Sequence, residues 1–205
     1  MTRILSLDAA VPSSDAVEEA AQVLERGGTV AFPTESFYGL GAHALDGRAL
    51  ARVVEIKGRP ESKPLLVLVD SVAAAERLAA EVPPGARVLM VRHWPGPLTL
   101  VLKAAGHVPA AVTAGTGTIG VRMPGHPVAL ALVRAVGLPV TAPSANPSGA
   151  APPTTAAQVR DYFEGRVDLI LDGGPTAGGP GSTLADCTVW PPRILRQGPV
   201  VLGTP

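Results

Sequence analysis

The chain has 205 residues, and its 17 Lys+Arg balance 17 Asp+Glu at a sequence pI of about 6.9, which excludes a nucleic-acid binder held by bulk charge. A hydrophobic fraction of 46% is a globular level, and the 23 Gly and 22 Pro stay just below the share that marks low complexity. The single cysteine, Cys187, excludes an internal disulfide and a cysteine-based zinc site. Residues 1–12 hold too short an apolar stretch for a signal-peptide core. The longest aliphatic run, residues 65–69, is far below the ~20 residues that span a bilayer. A cytoplasmic protein with no membrane contact is expected.

In chain order, residues 2–7 read as a strand. Ser14 or Asp15 caps a helix to Arg26, with Glu18 and Glu19 in its first turn, and Gly27-Gly28 ends it. Residues 29–32 read as a buried strand that opens into a loop over 33–41. Asp46 caps a second helix through Ile56, with Leu50, Val53 and Val54 on one face. A continuous apolar strand follows at 65–69, then helices over 72–80 and 86–92, then strands over 98–103 and 118–123. Pro127 opens a helix that ends at Gly137, and residues 139–142 are a strand. Thr155 and Gln158 form a capping box for a helix to Glu164. Strands over 168–171, 182–189 and 193–196 close the chain. Alternating strands and helices predict an α/β fold. The closing strands, with no helices between them, predict a mixed sheet. No linker, repeat or charge run divides the chain, so a single domain over residues 1–205 is expected.

Several motifs fail their context. Residues 115–120 match G-x-G-x-x-G but lead into a strand, not a helix, so they are no dinucleotide fingerprint. The glycine-rich residues 173–181 contain no G-K-[ST]; they read as a surface loop, a flexible lid or an anion nest. His43, His93, His107 and His126 show no H-x-x-x-H spacing, and G-x-S-x-G is absent. Cys187 reads as a small buried residue in an apolar strand.

Five segments keep their chemistry. Residues 32–41 bring a hydroxyl, a carboxylate and two glycines to a loop after a buried strand, where α/β sheets place ligands. Three of the seven aromatics, Phe32, Phe37 and Tyr38, lie there. Residues 57–65 hold Lys57, Arg59 and Lys63, stiffened by two prolines, between a helix end and a buried strand. Only three of the basic residues are lysine, and two are in this segment. The cations either complement a helix C-terminus or clamp a polyphosphate, Arg with bidentate contacts and Lys as a point charge. Arg122 lies in an apolar strand, where an unpaired charge is costly; it faces a carboxylate ligand or an internal salt bridge. Residues 141–149 are dense in small hydrogen-bonding side chains and by themselves read as a turn. Ser182-Thr183 follows the glycine-rich loop, and Arg196 precedes Gly198. Hydroxyls, three cations and a strand arginine describe a site for an anion-rich ligand plus a small carboxylate. With no catalytic dyad, this suits nucleotidyl transfer, which rests on positioning and charge neutralisation.

F-P-T-E-S-F-Y-G-L-G, K-G-R-P-x-x-K-P-L, W-P-G-P-L-T, V-R-M-P-G-H, P-S-A-N-P-S-G and a late S-T with R-x-G stand here in order. Over about residues 17–198 the chain resembles the YrdC-like threonylcarbamoyl-AMP synthases, and in length it is similar to their short form. The resemblance implies a single-domain twisted mixed sheet wrapped by helices around a large concave cleft. It implies a reaction of L-threonine, bicarbonate or CO2, and ATP with Mg2+, giving threonylcarbamoyl-AMP and pyrophosphate for tRNA threonylcarbamoyladenosine. Motif by motif, it places Lys57, Arg59, Ser144 and Asn146 around the nucleotide phosphates. Lys63, Thr118 and Arg196 are implied on the ATP side, with the Pro152 backbone near the adenosine. Thr34, Arg122 and Ser182 are implied to hold threonine, with Leu68 and Ala142 lining its pocket. No metal ligand is implied beyond the ATP phosphates that carry Mg2+. Closure of the 173–181 loop would protect the labile product from water. The partners implied are ATP, L-threonine and bicarbonate, with tRNA or the tRNA threonylcarbamoyl-transferase complex downstream. Ser36-Phe37 replaces the commoner Thr-Val of the first loop, and Leu68 stands where some relatives carry His; both touch the amino-acid pocket.

Two other functions remain open at this point. One is a related enzyme that adenylates a carbamoyl group from another substrate, such as carbamoyl phosphate. The other is an RNA-binding YrdC-like protein without this activity. Zero net charge and seven aromatics give it little to hold RNA with.

Overall fold

Strands that are apolar on both faces have to be covered on both, and this chain does so with two mixed sheets joined edge to edge. The computed structural model describes residues 1–58 and 64–202. Its strands are β1 (Arg3–Ser6), β2 (Val30–Pro33), β3 (Tyr38–Gly41), β4 (Leu66–Leu68), β5 (Leu98–Lys103), β6 (Thr118–Arg122), β7 (Val140–Thr141), β8 (Leu169–Asp172), β9 (Thr183–Asp186) and β10 (Arg193–Arg196). Its helices are α1 (Ser14–Glu25), α2 (Gly47–Lys57), α3 (Val72–Leu78), α4 (Pro84–His93), α5 (Ala110–Thr113), α6 (Pro127–Val136) and α7 (Ala156–Phe163). The first sheet runs β1-β8-β2-β3 and the second β10-β9-β5-β6-β4-β7. Both mix parallel and antiparallel pairs.

The seam between them is made by β3 and the chain at β7. Thr141 N donates to Ala42 O at 2.9 Å, Leu40 N to Pro143 O at 2.8 Å, and Ala145 N to Tyr38 O at 2.8 Å. The Thr141 hydroxyl donates to Leu40 O at 3.0 Å and accepts from Ala42 N at 3.0 Å. This bridging leaves the backbone groups at the joint paired, as burial requires.

Most elements match their sequence signals. Asp46 accepts from Arg48 N at 2.8 Å and caps α2. Thr155 and Gln158 make the capping box of α7. Residues 115–120 lead into β6, as expected of a rejected fingerprint. Three readings change. The N-cap of α1 is Ser13, without a side-chain bond, so Ser14 and Asp15 lie inside the first turn, and Asp15 rather than Glu18 or Glu19 is its acidic residue. Residues 110–113 form a short helix with no expected counterpart. Residues 38–41, read as loop, form β3, antiparallel to β2 with Phe32 opposite Gly39. The turn is closed by Thr34, whose N and Oγ1 both donate to Phe37 O, at 3.0 and 2.7 Å. Gly39 and Gly41 look like loop residues in sequence, but Gly41 lets the hairpin lie against the Phe32 ring, which a Cβ there would meet at 2.7 Å.

Two hydrophobic clusters form the core. Leu24 of α1 and Leu132 of α6 pack with Val30, Phe32 and Leu171 over the first sheet. Leu50, Val53, Leu78, Met90 and Phe163, from four helices, pack on Leu98, Leu100 and Val121 of the second. Each fully buried side chain of this size contributes about 1.5–3 kcal/mol before entropy is counted. Cys187 is buried here as expected, its thiol pushed up to about 11 by burial and then by Asp186. Among the described residues no helix is long and apolar enough to cross a membrane.

The seam gives a stability test. A Cβ on Gly41 would stand 2.7 Å from the Phe32 ring and 3.0 Å from Val140, which holds the hairpin against the second sheet. Gly41→Ala therefore costs about 1–3 kcal/mol by overpacking. Thermal unfolding should show a Tm several degrees lower, at about 2–4 °C per kcal/mol for a chain of this size. An unchanged Tm would mean that the seam relaxes freely.

Candidate active site

Side chains alternate along a strand, so one face of the second sheet meets the core and the other is free to line a cleft. Val67, Leu98, Leu100, Ile119 and Val121 take the core side. The alternate residues Leu66 and Leu68 of β4, Thr99 and Val101 of β5, and Thr118, Gly120 and Arg122 of β6 form the floor of a cavity of about 570 Å³. Ser182 and Leu184 extend it on the β9 side. Gly120 keeps the floor low: a Cβ there would touch Thr99 at 3.5 Å and Leu66 at 4.0 Å. The volume falls within the ~300–1,000 Å³ of small-molecule sites.

Of the residues implied to hold the amino acid, Thr34, Leu68, Arg122, Ala142 and Ser182 all line this cavity. So do Thr118, Ser144, Pro152 and Arg196 from the nucleotide set. Lys57 and Asn146 do not line it and lie behind Ser144. Arg59 and Lys63 lie outside the described residues.

Arg122 is 4% exposed and is ion-paired to Glu35. Its Nε donates to Gly96 O at 3.0 Å. Nη1 has no partner among the described residues. Both readings of this arginine thus hold together: it makes an internal salt bridge and also lines the cavity. Glu35 is gripped in turn by Gly125 N at 2.8 Å. Burial pushes the Glu35 carboxyl up, but the Arg122 charge and the backbone N–H groups of Glu35 and Gly125 outweigh it and hold the group below its ordinary value. His126 stands beside the pair; burial, then the opposed charges of Glu35 and Arg122, leave its pKa lowered.

Arg196 crosses from β10 to the Ser182 end of the cavity. Its Nε and Nη2 donate to Ser182 O at 3.0 and 2.9 Å, and Nη2 also reaches Ser182 Oγ at 3.2 Å. Partial burial first, and then the Arg122 charge, lower its pKa. Two guanidiniums thus line one cavity, with Glu35 the carboxylate paired to one of them. That balance favours an anionic ligand. Gly198 lets the chain after Arg196 pass against Ser182-Thr183, since a Cβ would fall 2.4 Å from Thr183 N.

Lys57, at the end of α2, is 3% exposed. Its Nζ donates to Ser144 O and, at 2.7 Å, to Asn146 O. Ser148 N returns a bond to Lys57 O at 2.8 Å. The ammonium therefore shapes the P-S-A-N turn from behind. Asn146 Nδ2 donates to Pro147 O and Ala150 O at 3.0 and 2.8 Å, which fixes the amide and leaves its buried Oδ1 without a partner among the described residues.

The glycine-rich segment, read as surface loop, lid or nest, is stitched to the rim. Tyr38 OH donates to Gly174 O at 2.7 Å, Thr176 Oγ1 to Ser36 O at 2.8 Å, Gly178 N to Ser36 O at 2.7 Å and Thr176 N to Thr154 O at 2.9 Å. Pro180 and Gly181 then line the cavity. Sequence reasoning counted the Glu35 carboxylate in its loop but gave it no role, and it passed over Thr99, although both stand inside quoted motifs. The period of two through Thr99, Val101 and the apolar residues between them was the available signal.

The family model described as "Telomere recombination" (Sua5/YciO/YrdC) matches residues 22–198. The threonylcarbamoyl-AMP synthase of Pyrococcus abyssi (strain GE5 / Orsay) is 49% identical over 179 residues, 87% of this chain and 53% of that protein. That of Bacillus subtilis (strain 168) is 45% identical over 183 residues, 89% of this chain and 53% of that protein. The chain thus spans about half the length of these relatives. The crystal structure of P. abyssi Sua5 complexed with L-threonine superposes with a TM-score of 0.91 at 45% identity, covering 95% of this chain and 57% of that one.

The Glu35–Arg122 pair carries a pH signature. A carboxyl with a depressed folded pKa stabilises fully above its unfolded value, near 4.5, and loses that contribution as pH falls through the folded value. Tm measured from pH 7 down to about pH 3 should fall steeply at the acid end, and Glu35→Gln should flatten that part of the curve. Parallel curves for the two proteins would mean the pair contributes nothing to acid stability.

Proposed function

The chain belongs to the Sua5/YciO/YrdC family, and from that premise we propose that it is an L-threonylcarbamoyladenylate synthase. In this reading L-threonine, bicarbonate or CO2, and ATP give threonylcarbamoyl-AMP and pyrophosphate. The observation that carries it is the cavity in which Arg122 and Arg196 face one ligand space with Glu35 as the paired carboxylate. The names of the two relatives support it, as does the L-threonine bound to P. abyssi Sua5.

The amino acid lies on the β4–β6 floor. Its carboxylate meets Arg122 and Ser182, and its methyl packs on Leu68 and Ala142. Thr34 has its own proton committed to Phe37 O, so it accepts from the substrate hydroxyl. The uncharged amine adds to CO2 and, with loss of one proton, becomes a carbamate. A carbamate oxygen attacks the α-phosphorus in line, forming the P–O bond as pyrophosphate leaves. The phosphates lie along Ser144, with Thr118 and Arg196 on the ATP side and the Pro152 backbone at the adenosine, while Asn146 behind Ser144 fixes the turn. Arg59 and Lys63 join them by motif. Lys57 keeps the 144–146 turn in place, so that little has to reorganise as charge develops.

Ser144, Thr118 and Arg196 would hold the phosphates of ATP carried with Mg2+, whose charge would help to neutralise the leaving pyrophosphate. The wall presents hydroxyls and guanidiniums, groups that suit phosphate oxygens. The docked 173–181 segment is a wall of the cavity that keeps water from the adenylate. The product is the donor for tRNA threonylcarbamoyladenosine, so tRNA or the transferase complex that uses it is the downstream partner and the cytoplasm its place.

The test is pyrophosphate release from ATP with bicarbonate and Mg2+. Release should depend on L-threonine, with L-serine at least about tenfold poorer in kcat/KM for want of one methyl on Leu68 and Ala142. No dependence on any amino acid, with RNA bound instead, would overturn the function. Lys57→Ala should slow single-turnover adenylate formation at least about tenfold, or ~1.4 kcal/mol. An unchanged rate would show that the 144–146 turn holds its place without the ammonium.

A further inference from the structure

We propose that Thr99 is a positioning residue of the amino-acid site, acting through Ser182. The inference rests on the synthase reading and concerns a residue outside the motif positions assigned above. Thr99 lies on β5, 2% exposed, with its side chain on the cavity floor. Its Oγ1 is 2.8 Å from Ser182 Oγ, itself in a residue 3% exposed. Among the described residues the Thr99 hydroxyl has no other partner, and the Ser182 hydroxyl has one more, Arg196 Nη2 at 3.2 Å.

The protons can be counted. A hydroxyl has one proton and two acceptor positions. Arg196 donates to Ser182 Oγ and fills the first. If Thr99 donates to Ser182, it fills the second, and the Ser182 proton must point away from both neighbours, into the cavity. If Ser182 donates to Thr99, the Thr99 proton is the one left over. Either way the buried pair offers one outward proton beside Arg122 and Arg196.

An anion in the cavity selects the first arrangement. Ser182 then receives two hydrogen bonds, one from a guanidinium, and becomes a stronger and fixed donor; such chains polarise each bond in turn. The ligand atom it meets has to be an acceptor, as a carboxylate oxygen is and an ammonium is not. Thr99 thus fixes the polarity of the subsite and the direction of the Ser182 hydroxyl without itself carrying charge.

Thr99→Val keeps the branched shape and suits a strand, so it removes little but the hydroxyl. It should raise the KM for L-threonine about three- to tenfold, the worth of one hydrogen bond. The KM for ATP and kcat should stay within about twofold, as for binding lost equally in ground and transition states. Thr99→Ser, which restores the hydroxyl, should return the threonine KM to within about twofold of wild type. In a Ser182→Ala background, Thr99→Val should add nothing, because the residue it acts through is gone.

A threonine KM unchanged in Thr99→Val would overturn the proposal. So would a Thr99→Ser as poor as the valine variant, which would show that shape and not the hydroxyl matters. Additive losses in the double variant would overturn action through Ser182. If the wild-type protein shows no threonine dependence, the function and this role fall together; a threonine-dependent wild type with an indifferent Thr99→Val removes only the role of Thr99.

Discussion

A guanidinium with 4% of its surface exposed has to be given acceptors, and the arrangement around the cavity follows from supplying them to Arg122. The W-P-G-P turn before β5 turns the Gly96 carbonyl toward its Nε. That turn is fixed by Trp94 Nε1 donating to Leu98 O at 2.7 Å and by Gly96 N donating to Met123 O at 2.9 Å. The β2–β3 hairpin brings up Glu35, and the turn after β6 offers Gly125 N to hold that carboxylate. Three segments far apart in sequence meet because one charge on a strand needs partners. A buried ion pair of this kind is weak evidence of stability, since desolvation offsets much of the attraction. Its value here is that it holds a cation at the floor of a cavity with one edge still available.

The second constraint is the period of the strands. Thr99, Gly120 and Arg122 face the cavity, while the residues between them, Leu98, Leu100, Ile119 and Val121, face the helices. A slip of one residue in β5 or β6 would send hydroxyls and the guanidinium into the core. The packing that stabilises the fold is therefore also what aims the site. Half of the lining residues stand on strands and half on connecting segments, and the connections around the glycine-rich segment are tied down, as Tyr38 ties Gly174 and Ser36 ties Thr176 and Gly178.

Sequence carried the elements whose signals are local. The capping box at Thr155 and Gln158, the Asp46 cap and the apolar runs of β4 and β5 each act within a few residues. The β3 strand was hidden because its two glycines resemble a loop in composition, while Gly41 answers a tertiary need, the close approach of the Phe32 ring. The candidate site divides in the same way. Arg122 was legible because a charge in an apolar strand is anomalous. Lys57 was legible as a cation among prolines, but its place behind Ser144 and Asn146 depends on a turn almost ninety residues away. Glu35 and Thr99 carry no anomaly of their own; only the pairing of β2 with β3 and of β5 with its neighbours gives them their partners.

Joining β3 to β7 has an outcome for the behaviour of the molecule in a crowded solution. Each sheet alone would present two open edges, but the seam consumes one from each, and among the described residues β1 and β10 are left as the outer strands of the combined order. Both are four residues long. Arg193 and Arg196 sit at the two ends of β10, and Arg3 on β1 is held by Glu19. Short edges carrying fixed charge are poor templates for a further strand, because an incoming chain would have to strip water from those guanidiniums. A twisted sheet built almost wholly from apolar strands is thereby guarded against pairing with copies of itself.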